Sequence, residues 1–598
     1  MVLAVLPGII LAFAIGIYAV NLPYLDEWQL APFFIKLGQG TLTFGDLFAL
    51  QNEYRQLFPN AIIVGLGWLT HWDTRVEMAL SLVLAGFVAW GLWRLGRGTL
   101  PWVTRHWLLA PAMLMGMNLL IFSFTQNENW LFGEQFEYYM PIALLVAGLL
   151  IACSGLSTTV KIVLCMVLCS VSTFSMPNGT VLWLLLFPRR SLYLTEKKVG
   201  FRWALAWVAL VGIEMACYLH GYQTPKHHPS PLLALYRPAS ALTYYFSFLS
   251  SPLLPVGPKA TAFLPLTLTV GAVLVALFAL AITVLLRRAK HGRRELLAQS
   301  APWIALGGYS MLTAGQIMIG RVGFGPVQSL SSRYIAFSLY LTLALVWLGL
   351  LVIDSFTPQR AVAETEPPHG TRRAMLCLGG GFALLLLLVT GETFQSSIQE
   401  MYAKRRSLLY EKSCIWAINY LVPSKIAELT TRWGVRDVRQ MVNALDRLDL
   451  LRPRVLKDPD LMKVAAEGGV PQSSNGYIIL TDTTYGNKQG YGWAILTDQG
   501  EPAHAVALTY RDDGGHFHVF EVARVDQPRR DVEQRMHDPY FLYSGWGAGI
   551  NARDIPTQPL QIDAWAIDIN AGQVYRLEDY NRSDTPAQQT APQPSPTP

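Results

Sequence analysis

The sequence predicts a polytopic α-helical membrane protein with about eleven transmembrane helices, followed by a helical segment and a β-sandwich domain. Three observations lead there. Of 598 residues, 52% are apolar and only 15% charged, too little charge to cover a soluble surface of that size. Apolar runs of near span length recur from the N-terminus to about residue 391. Beyond it the runs shorten, and turn residues separate them.

The first run, 2–20, has no basic flank and no small-residue cleavage site, so it reads as a retained span and not a signal peptide. Further runs fall at 76–96, 107–124, 138–156, 160–174, 179–188, 203–220, 262–286, 299–319, 333–354 and 374–391. Ala61–Leu69 is excluded. It is short, ends in Thr70-His71-Trp72-Asp73, and reads as an amphipathic helix lying on the membrane surface. Charge supports that choice. With the first loop outside, Arg94, Arg97, Arg105, Lys161, Arg189, Arg190, Lys197, Lys198, Arg202, Arg287, Arg288, Lys290, Arg293, Arg294, Arg360, Arg372 and Arg373 all fall on the cytoplasmic side. A crossing at Ala61–Leu69 would turn them all outward. The formal net charge of +6 therefore reports topology and not a nucleic-acid partner. Of six cysteines, Cys153, Cys165, Cys169, Cys217 and Cys377 lie in apolar segments and Cys414 stands alone, without metal spacing or a disulfide framework.

The chain thus divides into a membrane domain (1–391), an extracytoplasmic helical segment (392–471), a β-sandwich (472–580) and a disordered tail (581–598). SLLYEKSCIWAINYL and DVRQMVNALDRLDLL carry helical spacing. YIIL, GYGWAIL, AHAVALTY, HFHVFEVARV, YFLYSGWGAGI and LQIDAWAIDI read as strands. The tail ends TPAQQTAPQPSPTP, a composition that buries nothing.

This topology gathers polar residues on the outer face. The loop Leu22–Asn60 carries Asp26-Glu27-Trp28, Asn52-Glu53-Tyr54-Arg55 and Phe58-Pro59; Gln126-Asn127-Glu128-Asn129-Trp130 follows the third span; Arg321 and Arg333-Tyr334 bracket a late loop. Carboxylates at a span end are costly beside hydrocarbon, which marks them as functional candidates. An acidic residue can take the proton of an acceptor hydroxyl, and arginines can hold a departing phosphate. Trp28, Asn52, Glu53, Arg55, Gln126, Asn127 and Trp130 suit the hydroxyls and ring faces of a sugar.

The order and sidedness of these motifs resemble the GT-C class of polyprenyl-phosphate-sugar glycosyltransferases, such as protein O-mannosyltransferases, aminoarabinose transferases and arabinofuranosyltransferases. The resemblance covers about 1–355. It rests on the acidic pair Asp26-Glu27 after the first span, the surface helix entered through Phe58-Pro59, Asn127-Glu128-Asn129 after the third span, and the late Ser332-Arg333-Tyr334. It implies a GT-C-like membrane domain with periplasmic juxtamembrane helices and Asp26 as catalytic base. Glu128 then orients the acceptor or a divalent cation (Mg or Mn), with Asp26 and Glu128 as candidate ligands. Several relatives have two aspartates where this chain has Asp26-Glu27. The expected activity is inverting transfer of a sugar from a polyprenyl-phosphate donor to an envelope glycan or glycolipid. Asp26, Glu27 and Glu128 are catalytic, and Arg333, Arg321 and Tyr334 bind the donor phosphate. The expected location is the bacterial inner membrane, with the C-terminal domain extracytoplasmic.

Simpler readings stand beside these. Asp26 can cap a surface helix, Glu53 and Arg55 can pair locally, and Arg333 can snorkel to lipid phosphates. Glu134 and Glu137 read as ordinary interfacial carboxylates, His227-His228 as exposed histidines, Asn178-Gly179 as a turn, and Trp493 and Trp546 as fillers of a sandwich core. Two other functions remain: a glycan polymerase or ligase using diphosphate-linked donors, and a transporter or flippase of lipid-linked sugar. The spans hold few charges for a transport path, Glu214 being the main exception.

Overall fold

The computed structural model describes residues 2–51, 54–189, 192, 200–222, 229–254, 258–357, 367–434, 437–483, 487–551, 553, 555 and 561–581. The chain forms two compact units. One comprises Met1–Ala19 and Thr41–Tyr402, the other Val20–Gly40 and Ala403–Pro598. The boundary expected near residue 391 lies inside a 48-residue helix, His369–Trp416. The segment carrying Asp26 groups with the C-terminal part of the chain and not with the apolar helices.

The first unit is helical. Among the described residues, seven helices are long and apolar enough to cross a membrane: Thr74–Thr99, Leu109–Trp130, Gly133–Ala152, Phe201–Leu219, Thr261–Lys290, Ser332–Ser355 and His369–Trp416. Leu3–Tyr18 and Thr158–Thr173 are shorter apolar helices, and Glu295–Arg321 is a 27-residue helix with charged ends. The last packs on Ile335–Ser355, with Trp303 and Trp347 stacked at 4.7 Å and Ser310 Oγ donating to the Phe337 carbonyl at 2.6 Å.

Two expectations change. The run 179–188 does not form a span-length helix. It is a 3-10 turn, Pro177–Val181, continued by the four-residue helix Leu182–Leu185. The chain nevertheless travels from one end of the unit to the other here, because Phe174 accepts from Phe58 N at one end and Leu192 accepts from the Cys153 thiol at the other. Pro177 and Pro188 remove backbone donors at either side of this run. Irregular backbone at such depth is tolerated where protein covers it, and Leu182, Leu185 and Leu186 are buried. The second change concerns the expected surface helix. Leu57–Thr70 is a 14-residue helix, LFPNAIIVGLGWLT, with Asn60 and Thr70 as its only polar side chains. Pro59, Asn60, Ile63, Val64 and Gly67 are buried and Trp68 and Leu69 exposed. It lacks a polar face, and at about 1.5 Å per residue it is too short for a full crossing.

The ends of the first unit differ in chemistry. At one, Arg293 donates to the carbonyls of Asp354, Ser355 and Thr357, Arg288 lies 3.9 Å over the Phe356 ring, and Trp303 Nε1 reaches Thr99 Oγ1 at 3.2 Å. Arg94 and Arg97 lie on the last turns leading to Thr99. At the other end lie the turns 54–58, 124–137, 174–178, 218–220 and 328–334, and the helix near Phe394 and Glu400, joined by the contacts described below.

The second unit joins the Asp26 segment to the C-terminal domain. The 3-10 helix Leu25–Leu30 and the helix Ala31–Gly38 pack on Pro423–Trp433 and Val438–Arg447. The approach is close: a Cβ at Gly38 would lie 2.5 Å from Leu448. Lys404 Nζ sits 3.0 Å over the Tyr24 ring.

The strand region forms one nine-stranded sheet: β1 Gln472–Asp482, β2 Lys488–Leu496, β3 Glu501–Pro502, β4 Ala505–Arg511, β5 Phe517–Ala523, β6 Val525–Gln527, β7 Gly545–Ile550, β8 Ile562–Asp568 and β9 Gln573–Asp579. The order is β5-β4-β8-β9-β1-β2-β7-β6, with β3 on β2. β1 pairs with β9 in parallel, and the other pairings are antiparallel. β5 and β6 are the opposite edges, yet Arg524 alone separates them in sequence. The sheet must therefore coil until its edges meet. Accordingly Phe520 and Ala523 share one core with Val525, Trp546 and Ile478. The two halves pack face to face, as in a sandwich, within a continuous hydrogen-bonded sheet. Trp546 fills this core, and Trp493 is buried with Ile495, Val532 and Phe541. Residues 582–598 of the expected tail lie outside the described residues.

Candidate functional site

In the first unit the structure unites two motifs some 200 residues apart. Glu128 lies on the short helix Asn127–Trp130, and its Oε2 accepts from Ser332 Oγ at 2.8 Å and from Arg333 N at 3.2 Å. Asn129 Nδ2 donates to the Arg333 carbonyl at 3.1 Å. The Ser332–Tyr334 turn is thus held from both sides by the Asn127-Glu128-Asn129 motif. The Arg333 side chain itself stays uncommitted. No hydrogen bond or ion pair to its guanidinium occurs among the described residues, and its buried Nε has no partner. The Tyr334 ring centroid is 5.4 Å from Cζ. Glu128, Tyr54 and Tyr138 lie near enough to act on its charge, and Arg321 and Arg333 both act on Tyr244, whose hydroxyl donates to Gln328 Oε1 at 3.3 Å. An arginine left unpaired where apolar helices end is poised for an anion, because a half-buried charge without a partner is costly.

Several expected binding residues have structural work instead. Arg55 is buried and clamps three carbonyls: Nε to Tyr218 at 3.1 Å, Nη1 to Phe48 at 2.7 Å, and Nη2 to His220. It ties the Thr41–Leu57 stretch to the end of Phe201–Leu219. Gln126 is buried, donating to the Leu120 and Ile121 carbonyls and accepting from Tyr139. It closes the C-terminus of the helix Leu109–Ile121, where carbonyls lack intrahelical partners. Trp130 is fully buried, stacks on Tyr139 at 5.1 Å and donates to the Ser123 carbonyl at 2.9 Å, so it offers no ring face to a sugar. Asn127 donates to Glu400 Oε2 at 2.5 Å. Glu137 is buried and takes Gln56 Nε2, so it is no ordinary interfacial carboxylate. Asn178 is more than a turn residue, donating to the Tyr309 hydroxyl at 2.8 Å. Glu214, on Phe201–Leu219, accepts at 3.2 Å from Nε1 of Trp183 on the short helix Leu182–Leu185. Asn52 and Glu53, and the pair His227-His228, lie outside the described residues.

In the second unit, Asp26 and Glu27 part ways. Glu27 is fully buried, and its Oε2 accepts from Tyr24 N at 2.6 Å, fixing the start of the 3-10 helix. That is the work of a cap. Trp28 is fully buried as well. Asp26 is exposed, and among the described residues its one hydrogen bond is from Gln29 Nε2 at 3.4 Å. Of the pair, Asp26 alone faces water.

Among the described residues no group of three or more His, Cys, Asp or Glu is arranged to hold a metal ion. Glu128 Oε2, proposed from sequence as a cation ligand, already takes two donors.

Sequence reasoning quoted Tyr54 only within its motif, without a role, and overlooked Tyr138 and Glu400. The signal for Tyr138 was its place in Glu137-Tyr138-Tyr139, where one tyrosine faces the core at Trp130 and its neighbour faces Phe337 at 4.9 Å. Nothing in the sequence marked Glu400, which is 273 residues from Asn127. Comparison of the chain with protein families, with curated proteins and with solved structures gives no match.

Proposed function

We propose that the chain is an integral-membrane, inverting glycosyltransferase. It moves a sugar from a polyprenyl-phosphate donor to a cell-envelope glycan or glycolipid at the extracytoplasmic face of the bacterial inner membrane. The observation that carries this reading is the Arg333 guanidinium, which has no hydrogen bond or ion pair among the described residues and is set among Tyr54, Tyr138 and Tyr334 beside Glu128. A lipid-borne phosphate brings its charge to that depth, and arginine binds it with charge-assisted, bidentate geometry.

In the proposed reaction an acceptor hydroxyl attacks the anomeric carbon from the face opposite the phosphate. The bond from that carbon to the phosphate oxygen breaks, and configuration inverts. A carboxylate takes the hydroxyl proton as general base, the role the sequence assigns to Asp26. Polyprenyl phosphate leaves with the bonding electrons, and Arg333 and Arg321 hold its charge. Glu128 positions the Ser332–Tyr334 turn. Asp26 suits the base role because, unlike Glu27, it is exposed.

The test is sugar transfer by the full-length protein in liposomes, from a labelled polyprenyl-phosphate sugar to envelope glycan. Transfer that Asp26→Asn abolishes supports the proposal. Full activity in Asp26→Asn would favour a polymerase using diphosphate-linked donors. Movement of lipid-linked sugar across the bilayer without transfer would establish a flippase instead.

A further inference from the structure

At the Arg333 end of the first unit, where Glu295–Arg321 ends, a short helix, Leu233–Tyr236, packs on the turn Val322–Phe324. The packing is close: a Cβ at Gly323 would lie 2.2 Å from Pro229 and 3.1 Å from Leu233. With that side held down, Leu232, Leu235 and Tyr236 share the outer face, at the spacing of helical neighbours. They are 54%, 77% and 76% exposed. Phe324 on the turn beneath is exposed too, and its ring lies 5.8 Å from Arg321 Cζ. Arg237 follows directly. It is exposed, and its guanidinium has no hydrogen bond or ion pair among the described residues. Between Glu214 and Asp354 the sequence holds one acidic residue, Glu295, at the opposite end of its own helix. No carboxylate from that stretch offsets Arg237 here.

A contiguous apolar face of this kind is costly to leave in water and marks a surface that something covers. Its chemistry grades in one direction, from leucine through tyrosine to an arginine without an acidic neighbour. That is the gradation of a membrane interface, with hydrocarbon below, amphipathic rings at headgroup level and phosphates above. The apolar helices end at this level, so the bilayer supplies the apolar cover and the anion together. We propose that Leu232–Arg237 anchors this end of the first unit in the membrane interface. Leu232, Leu235 and Tyr236 are immersed at the boundary of headgroups and acyl chains, and Arg237 lies on lipid phosphates. The anchor fixes the depth of the Val322–Phe324 turn and brings lipid phosphates beside Arg321. This contact follows from the first unit alone and stands if the transferase reading fails.

The experiment uses the full-length protein in liposomes of phosphatidylcholine and phosphatidylglycerol. Cys153, Cys217 and Cys377, which are not buried, are replaced by alanine, and a nitroxide is attached at Leu235→Cys. Power saturation then compares collisions with oxygen, which concentrates in hydrocarbon, and with a water-soluble nickel chelate. Val208→Cys, on the exposed face of Phe201–Leu219, gives the hydrocarbon reference, and Asp498→Cys, in an exposed turn between strands, the aqueous one. The label at 235 should collide mainly with oxygen, as at 208. Collisions mainly with nickel, as at 498, would show the face in water and overturn the proposal. Poor access to both reagents would also overturn it, because a protein surface would then be the cover. Adding Arg237→Glu places a carboxylate against the phosphates and should shift the 235 label toward nickel, whereas Arg237→Lys should leave it in place. An unchanged label in Arg237→Glu overturns the phosphate contact.

Discussion

Replacing Arg333 with methionine separates a binding role from a structural one. A structural arginine leaves stranded partners when removed, as Arg55 would leave three carbonyls. Arg333 leaves none, since its guanidinium has no hydrogen-bond partner among the described residues. Its backbone N–H, which holds Glu128 at 3.2 Å, survives the substitution, as does the 2.8 Å bond from Ser332. What is lost inside the protein is the cation–π contact with Tyr334, about 0.5–1 kcal/mol, partly offset by no longer half-burying a charge. The thermal midpoint in detergent should therefore barely move. Donor binding should change far more. A charge-assisted hydrogen bond contributes about 1.5–3 kcal/mol, so losing one raises the donor Kd roughly 10- to 150-fold. Lysine at this position should fall between, keeping charge but losing the planar fork. The assay pairs melting with titration of a polyprenyl-phosphate sugar. A variant that melts many degrees lower and binds donor as well as wild type would refute the reasoning.

Asp26→Asn should abolish sugar transfer and leave the melting temperature unchanged, because the side chain is exposed with one long contact to Gln29. Glu27→Ala should do the reverse, costing about 1 kcal/mol of stability by uncapping Tyr24 N, visible as earlier melting. Arg55→Ala should cost about 3 kcal/mol through its stranded carbonyls, and lysine should not restore it, because one ammonium cannot span three acceptors; size-exclusion yield and melting report this. The second unit should weaken in mild acid. Burial depresses the His504 pKa below 6.5 although the hydrogen bond to Glu501 opposes this, so the unfolded chain takes up the proton first and stability is lost as pH falls below about 6.5. Melting followed against pH should show that slope, and His504→Gln should flatten it. A second loss begins below about 4.5, where Glu501 titrates. Burial pushes Glu501 upward, but the His504 hydrogen bond and the arginines at 405 and 406 outweigh it and hold it below its ordinary value.

The helices were legible because apolar runs near 20 residues leave few alternatives. The run 179–188 misled because hydropathy registers the composition of a segment but not the prolines that break it. Site residues were harder. Gln126, Trp130 and Arg55 are polar or amphipathic residues near span ends, the pattern expected of a sugar site. The same pattern serves chain ends that need their carbonyls bonded, and only the fold distinguishes the two. Glu128 with Ser332-Arg333-Tyr334 could be matched from sequence because charge placement set both at one end of the apolar helices. The grouping of Asp26 with Val438–Arg447 could not. It depends on a shape match at Gly38 and Leu448 that has no compositional trace.

That grouping bears on how the protein is made. Leu22, Trp28, Ala31, Phe33 and Phe34 are buried within a unit whose remaining chain begins at Ala403. At roughly 5–20 residues per second, the ribosome needs some 20 to 70 seconds to travel from Gly40 to that point. Through that interval the apolar side of the first loop lacks its partner and needs a chaperone or the bilayer surface for cover. Deleting the chain after Tyr402 makes that interval permanent. Such a truncation should be recovered as aggregate or cleaved near the first loop, and a second polypeptide supplying residues 403–598 would be its remedy.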